Sequence, residues 1–178
     1  QWGASFPGDI PVPGDYNGDG KTEPGIWRPA TNTWYIYGLP TIQWGAALPG
    51  DIPVPGDYNG DGNTDAAIWR PSANTWYIFG LPTIQWGTSL PGDIPVPGDY
   101  DDDGKTDPAI WRPSANTWYI FGLPTIQWGS SFPGDVPVPG DYNGDGKTEP
   151  AIWRPATNTW YIFGFPTIQW GASIPGDI

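Results

Sequence analysis

Three features of this sequence together predict an all-β fold, a β-propeller of 42-residue, four-stranded blades with four blades to the chain. One unit recurs at a constant spacing, turn residues cut each unit into four short strands, and aromatic residues fall on both faces of the third strand. The tripeptide QWG marks the period at Gln1, Gln43, Gln85, Gln127 and Gln169. Four complete units (1–42, 43–84, 85–126 and 127–168) are followed by a partial unit, 169–178, all within a single repeat domain. Modules of this length cannot bury an apolar face alone and do so against their neighbours.

The first predicted strand is IPVPGDY (10–16). Pro11 and Pro13 are two residues apart, so both withhold an N–H from the same edge while Val12 can still pair on the other. That suits a strand with one free edge, as the innermost strand of a blade has. The second strand, PGIWRP (24–29), is closed by Pro29. In the third, TWYIYG (33–38), Trp34 and Ile36 alternate with Tyr35 and Tyr37. A strand apolar on both faces has to be covered on both, as in a blade that lies between two others. The fourth strand is PTIQWG (40–45). Helix is disfavoured throughout, because Pro or Gly interrupts every window long enough for three turns.

The composition supplies a core of an unusual kind. The 178 residues include 13 Trp, 9 Tyr and 6 Phe but no Met and no Cys, so disulfides cannot staple a chain that also carries 26 Gly and 24 Pro. Each buried Trp removes roughly 150–250 Å² from water. Trp2, Trp27, Trp34 and their equivalents are therefore expected to fill the wedge between blades. Any that stay partly exposed would offer faces for sugar rings, and Trp2, Trp44, Trp86, Trp128 and Trp170 are the candidates for glycan binding.

A net charge of −12 makes nucleic acid and anionic membrane poor partners and a cation a good one. No apolar run is long enough for a membrane helix, so membrane insertion is not expected. The chain opens on Gln1 and has no signal-like segment, which reads as a mature product or a piece of something longer.

The acid is concentrated in one loop. Numbered from Asp15, DYNGDGKTE places oxygen-bearing side chains at its first, third, fifth and ninth positions: Asp15, Asn17, Asp19 and Glu23. Alternate spacing lets them face one point, and Gly20 permits the sharp turn. A backbone carbonyl near the seventh position, Lys21, would add to the set, and hard oxygen ligands in a flexible loop select Ca²⁺, about one per repeat. The other units supply Asp57, Asn59, Asp61, Asn63 and Asp65; Asp99, Asp101, Asp103, Lys105 and Asp107; and Asp141, Asn143, Asp145, Lys147 and Glu149. The loop is not an EF-hand, since Ile26 stands at the twelfth position, where that motif needs a bidentate Glu. Four Ca²⁺ would bring the net charge from −12 to about −4, so the ions act as a repeated staple between first and second strands.

DYNGDGKTEPGIWRP followed by TWYIYG or TWYIFG resembles the bacterial FG-GAP/VCBS-type calcium-binding β-propeller repeat, over all four units. The resemblance implies a calcium loop in each blade and a place among surface and secreted proteins, including adhesins and propeller lectins. These units are shorter than integrin-type blades and fewer than the family usually closes into a ring. A single four-bladed ring, two chains combining their blades, and a segment of a longer array all stay open. The fifth QWG is one outer strand more than a closed ring of four blades needs, which points to a homo-oligomer or filament joined head to tail. Light scattering showing a strict monomer at high concentration with Ca²⁺ would contradict that expectation.

Catalysis is not expected. His and Cys are absent, and identical blades would have to build an asymmetric active site from few reactive groups. The recurrent Asp9, Asp51, Asp93, Asp135 and Asp177 read as turn residues. Arg28, Arg70, Arg112 and Arg154 read as structural, paired with a carboxylate or stacked on a ring. The sequence thus leads to a calcium-stabilised structural or adhesive repeat protein, extracellular or at the cell surface, with a multivalent glycan-binding lectin as the alternative.

Overall fold

The computed structural model describes residues 6–169. The described strands form four separate four-stranded antiparallel sheets, each a meander in chain order. The first contains β1 (Ile10–Pro11), β2 (Gly25–Arg28), β3 (Thr33–Ile36) and β4 (Ile42–Gln43). β5 (Ile52–Pro53), β6 (Ala67–Arg70), β7 (Thr75–Ile78) and β8 (Ile84–Gln85) form the second. The third holds β9 (Ile94–Pro95), β10 (Ala109–Arg112), β11 (Thr117–Ile120) and β12 (Ile126–Gln127), and the fourth β13 (Val136–Pro137), β14 (Ala151–Arg154), β15 (Thr159–Ile162) and β16 (Ile168–Gln169). The fold class is the predicted one: all-β, of the propeller type, with four blades to the chain. The chain divides into two compact units, Gln1–Ser89 with the first two blades and Leu90–Ile178 with the last two.

The short inner strands follow from their prolines. Val12 N donates to Gly25 O at 2.9 Å, and Val54, Val96 and Val138 repeat this bond at 2.8 Å, while the flanking prolines have no donor to offer. After β2 the chain makes a 3-10 turn, Pro29–Thr31, ended by Asn32 at φ 47°. Asn tolerates the left-handed region better than most residues, and Asn74, Asn116 and Asn158 take the same conformation. The side chain then adds cross-links: Trp27 Nε1 donates to Asn32 Oδ1 at 2.8 Å, and Asn32 Nδ2 donates to Trp44 O beyond β4. The outer strands use the QWG copies at Gln43, Gln85, Gln127 and Gln169. The remaining copy, at Gln1, lies outside the described residues.

Within each unit the core is the contact of one blade face with the next. In the first unit Trp27 pairs with Trp34 across β2 and β3, and both pack with Val12 against Ala66 and Ile68 of the second blade. Trp27 is 1% exposed and Trp34 0%. In the second unit Trp111 and Trp118 pack in the same cluster as Ile152 of the fourth blade. Period-2 alternation explains both sides of the contact: Trp27 and Ile26 are adjacent, so one faces forward and the other back. The two strand Trp of the first and third repeats thus fill the wedge as expected, and Trp69 and Trp76 are also buried, whereas Trp153 and Trp160 of the fourth repeat are half-buried, as are Trp44, Trp86 and Trp128. The back face is covered less than the alternation of β3 implies, because Tyr37 is 58% exposed and Phe79, Phe121 and Phe163 are also exposed. These residues lie just past β3, β7, β11 and β15, where the chain turns off the sheet.

The recurrent Asp and Arg prove to be each other's partners. Arg28 Nε and Nη2 donate to Asp9 Oδ1 and Oδ2 at 2.8 and 2.9 Å, and Arg70–Asp51, Arg112–Asp93 and Arg154–Asp135 repeat the fork. Each guanidinium also stacks on the Tyr of the third strand, Arg28 on Tyr35 at 4.8 Å. Asp9 keeps its turn role too, accepting from Phe6 N at 2.9 Å. The hydrogen bond from Arg28 pulls its carboxyl down to about 2. With the guanidinium engaged on one edge and one face, the structural reading of these arginines holds.

Candidate metal centre

Each acidic loop runs from the inner strand to the second strand of a blade, and its neck is closed by backbone pairing. In the first blade Glu23 N donates to Gly14 O at 2.7 Å. Inside the loop the carboxylates collect backbone donors. Asp15 accepts from Gly18 N and Gly20 N, both at 2.8 Å, and Lys21 N donates to Asp19 Oδ1 at 2.9 Å. Gly18 and Gly20 have φ of 73° and 80°, which lets the chain curl around Asp15. Glu23 accepts from Tyr16 N at 2.8 Å and from Asn17 Nδ2 at 3.0 Å. Its anchor is Tyr16, whose buried hydroxyl donates to Val12 O at 2.8 Å. Tyr58, Tyr100 and Tyr142 do the same for Val54, Val96 and Val138. Sequence reasoning passed over this tyrosine, although its place directly after the first acid of every loop was a visible signal.

Three of the loops bring carboxylate oxygens within 4.8 Å of one another: Asp15, Asp19 and Glu23; Asp99, Asp101 and Asp107; and Asp141, Asp145 and Glu149. Like charges at this separation repel by on the order of 1–4 kcal/mol per pair between water and a half-buried site. A cation relieves that repulsion, and oxygen-only donors suit a hard one. In the second blade Asp57, Asp61 and Asp65 do not converge in this way; Asn63 donates both its N and its Nδ2 to Asp61 Oδ1 at 2.8 Å. In the third, Asp101 takes part and Asp103 does not. Of the third-position amides, Asn17, Asn59 and Asn143 accept from the backbone N–H two residues on. Lys21 Nζ lies 3.3 Å from Asp19 and Lys105 Nζ 3.8 Å from Asp103, exposed pairs of little energetic weight. Lys147 N donates to Asp145 Oδ1 at 2.9 Å.

The electrostatics differ between loops. Burial, with the charges of Asp101, Asp103 and Asp99 added, pushes Asp107 up to about 6 against the hydrogen bond from Tyr100 N. Asp65 is raised by the same combination, and Asp141 is lowered, chiefly by Gly146 N–H. A carboxyl whose folded-state pKa is raised stabilises the fold below its unfolded pKa and loses that contribution as pH rises through the folded value. Metal-depleted protein is therefore expected to melt higher at pH 5 than at pH 7, by about 2–4 °C after discounting for solvent screening. The depressed Asp9 acts only below this window. Saturating Ca²⁺ should reverse the trend, because ligands have to be deprotonated to bind. Calorimetry of the depleted protein showing a flat or opposite dependence would contradict the assignment.

Of the candidate glycan-binding tryptophans, Trp2 and Trp170 lie outside the described residues. Trp44 meets Phe79 edge-on at 5.9 Å and lines a cleft of about 100 Å³ with Asn32, Ala46, Ile68, Arg70 and Tyr77. At the equivalent place in the second unit, Trp128, Ser130, Phe132, Ile152, Arg154 and Tyr161 line a cleft of about 370 Å³. Trp86 N donates to Asn74 O at 3.3 Å.

Fold and loops together define the class: a repeat protein of propeller blades whose surface acidic clusters are able to chelate a cation. Compared with protein-family models and with curated proteins, the chain matches none. Among the described residues no helix is long and apolar enough to cross a membrane.

Proposed function

We propose that the protein is a calcium-stabilised structural or adhesive repeat protein that works outside the cell, with blades of the FG-GAP/VCBS type. The observation that carries this reading is the convergence within 4.8 Å of three carboxylates in each of three loops: Asp15, Asp19 and Glu23; Asp99, Asp101 and Asp107; and Asp141, Asp145 and Glu149. Six to eight oxygens in a flexible loop favour Ca²⁺ over the smaller, strictly octahedral Mg²⁺. Millimolar Ca²⁺ outside cells fills even weak loops of this kind, and its binding free energy adds to folding stability. The test is removal of the ion: an unchanged melting temperature after chelation overturns the reading.

A second reading, a multivalent lectin, is favoured by the recurrence of the Trp-lined cleft in both units. Half-exposed indole faces suit sugar rings, and repetition would raise weak affinities. On this reading a glycan array gives signal that is lost in Trp44→Ala and Trp128→Ala; silence across the array removes it.

A further inference from the structure

We infer that the acidic loops bind their cations cooperatively in pairs, first blade with second and third with fourth, through a latch made by Thr64 and Thr148. This rests on the calcium reading and adds a coupling between its sites. Thr64 N donates to Asp15 O at 2.6 Å, and Thr148 N donates to Asp99 O at 2.5 Å. Each bond runs between loops. Asp15 and Asp99 open the first loop of a pair, whereas Thr64 and Thr148 immediately precede Asp65 and Glu149, the ninth-position acids of the second. An ion that fixes Asp65 therefore fixes the peptide whose N–H holds Asp15 in place.

The packing around the bond is as tight as the bond. A Cβ on Gly14 would stand 2.7 Å from Thr64 Cγ2 and 2.8 Å from its Oγ1, and one on Gly98 would stand 2.8 Å from both atoms of Thr148. Only glycine admits the threonine so closely. A second contact lies nearby, where Asn63 Oδ1 crowds Gly18 in the first unit and Asp102 Oδ1 crowds Gly146 in the second. The latch thus occurs twice, in two independently packed units.

The direction of the coupling follows from entropy. The first ion bears the cost of ordering its own loop and, through the latch, part of the neighbour's, so the second ion meets a loop already ordered. Repulsion between the two ions does not cancel this. Each loop carries at least three carboxylates, so a bound dication leaves no loop with a net positive charge.

The experiment is a calorimetric Ca²⁺ titration of the metal-depleted full chain. The wild type should take up four ions with a Hill coefficient approaching about 2. Gly14→Ala with Gly98→Ala should take up the same number with a coefficient near 1 and about fivefold weaker apparent affinity. Gly140→Ala should keep the wild-type coefficient, because the nearest atom to its added Cβ is Tyr142 Cε2 at 3.6 Å. As a variant that leaves the latch packing intact, Asp61→Asn with Asp65→Asn should lose one ion and weaken one of the other three about fivefold. Four ions bound independently by the wild type would overturn the coupling and leave the calcium reading standing. So would retained cooperativity in the Gly14, Gly98 variant, or three unweakened ions in the Asp61, Asp65 variant. No uptake at all would overturn both.

Discussion

Chelation at pH 7 is expected to lower the melting temperature by about 10–20 °C. With each loop held at roughly ten times its dissociation constant, one ion contributes about 1.4 kcal/mol, and four contribute about 6 kcal/mol. A chain of this size shifts by about 2–4 °C per kcal/mol. The effect is large because the stabilisation is repeated in the acidic loops, and in three of the four the alternative to the ion is a cluster of mutually repelling carboxylates. Differential scanning calorimetry with and without EGTA measures it. Restoration by Ca²⁺ but not by equimolar Mg²⁺ is the expected control, and a drop of less than about 2 °C would mean that the loops do not hold ions that matter to folding.

Trp118→Ala is expected to cost about 3–5 kcal/mol. The side chain is 0% exposed and lies, with Trp111, in the cluster that joins the third blade to Ile152 of the fourth, so truncation opens a cavity between the two sheets. Trp118→Phe separates packing from hydrogen bonding. The Trp118 indole N–H has no partner within the described protein, so Phe gives up ring area but also removes a buried, unpaired donor. Its cost should be about 1–2 kcal/mol. Midpoints of urea unfolding rank the two variants. Equal costs would show that the indole nitrogen matters, and an Ala cost below about 1 kcal/mol would show that this face does not hold the blades together.

The strands were legible because their signals are local. Pro11 and Pro13 placed the free edge, Pro29 closed the second strand, and Trp34 and Ile36 marked the buried face. The acidic loop was legible for the same reason, since alternate oxygens and a glycine describe a curl within nine residues. The Asn32 turn was less so. Asn after PAT or PSA is a weak sign of left-handed backbone until its side chain is seen holding Trp27 and Trp44.

Partnership between distant residues belonged to the fold. Asp9 and Arg28 could each be given a role alone, but 19 positions separate them, and their fork exists only because the inner strand pairs beside the second. Thr64 carries no motif at all; its hydrogen bond to Asp15 depends on one blade stacking on the next. The same dependence separates the loops, which look alike in sequence while three converge and that of the second blade does not. Periodicity and turn chemistry act over a few bonds and can be read along the chain. Convergence of charges, closure of a wedge and a contact between loops are through-space quantities, and they acquire values only when the sheets are packed.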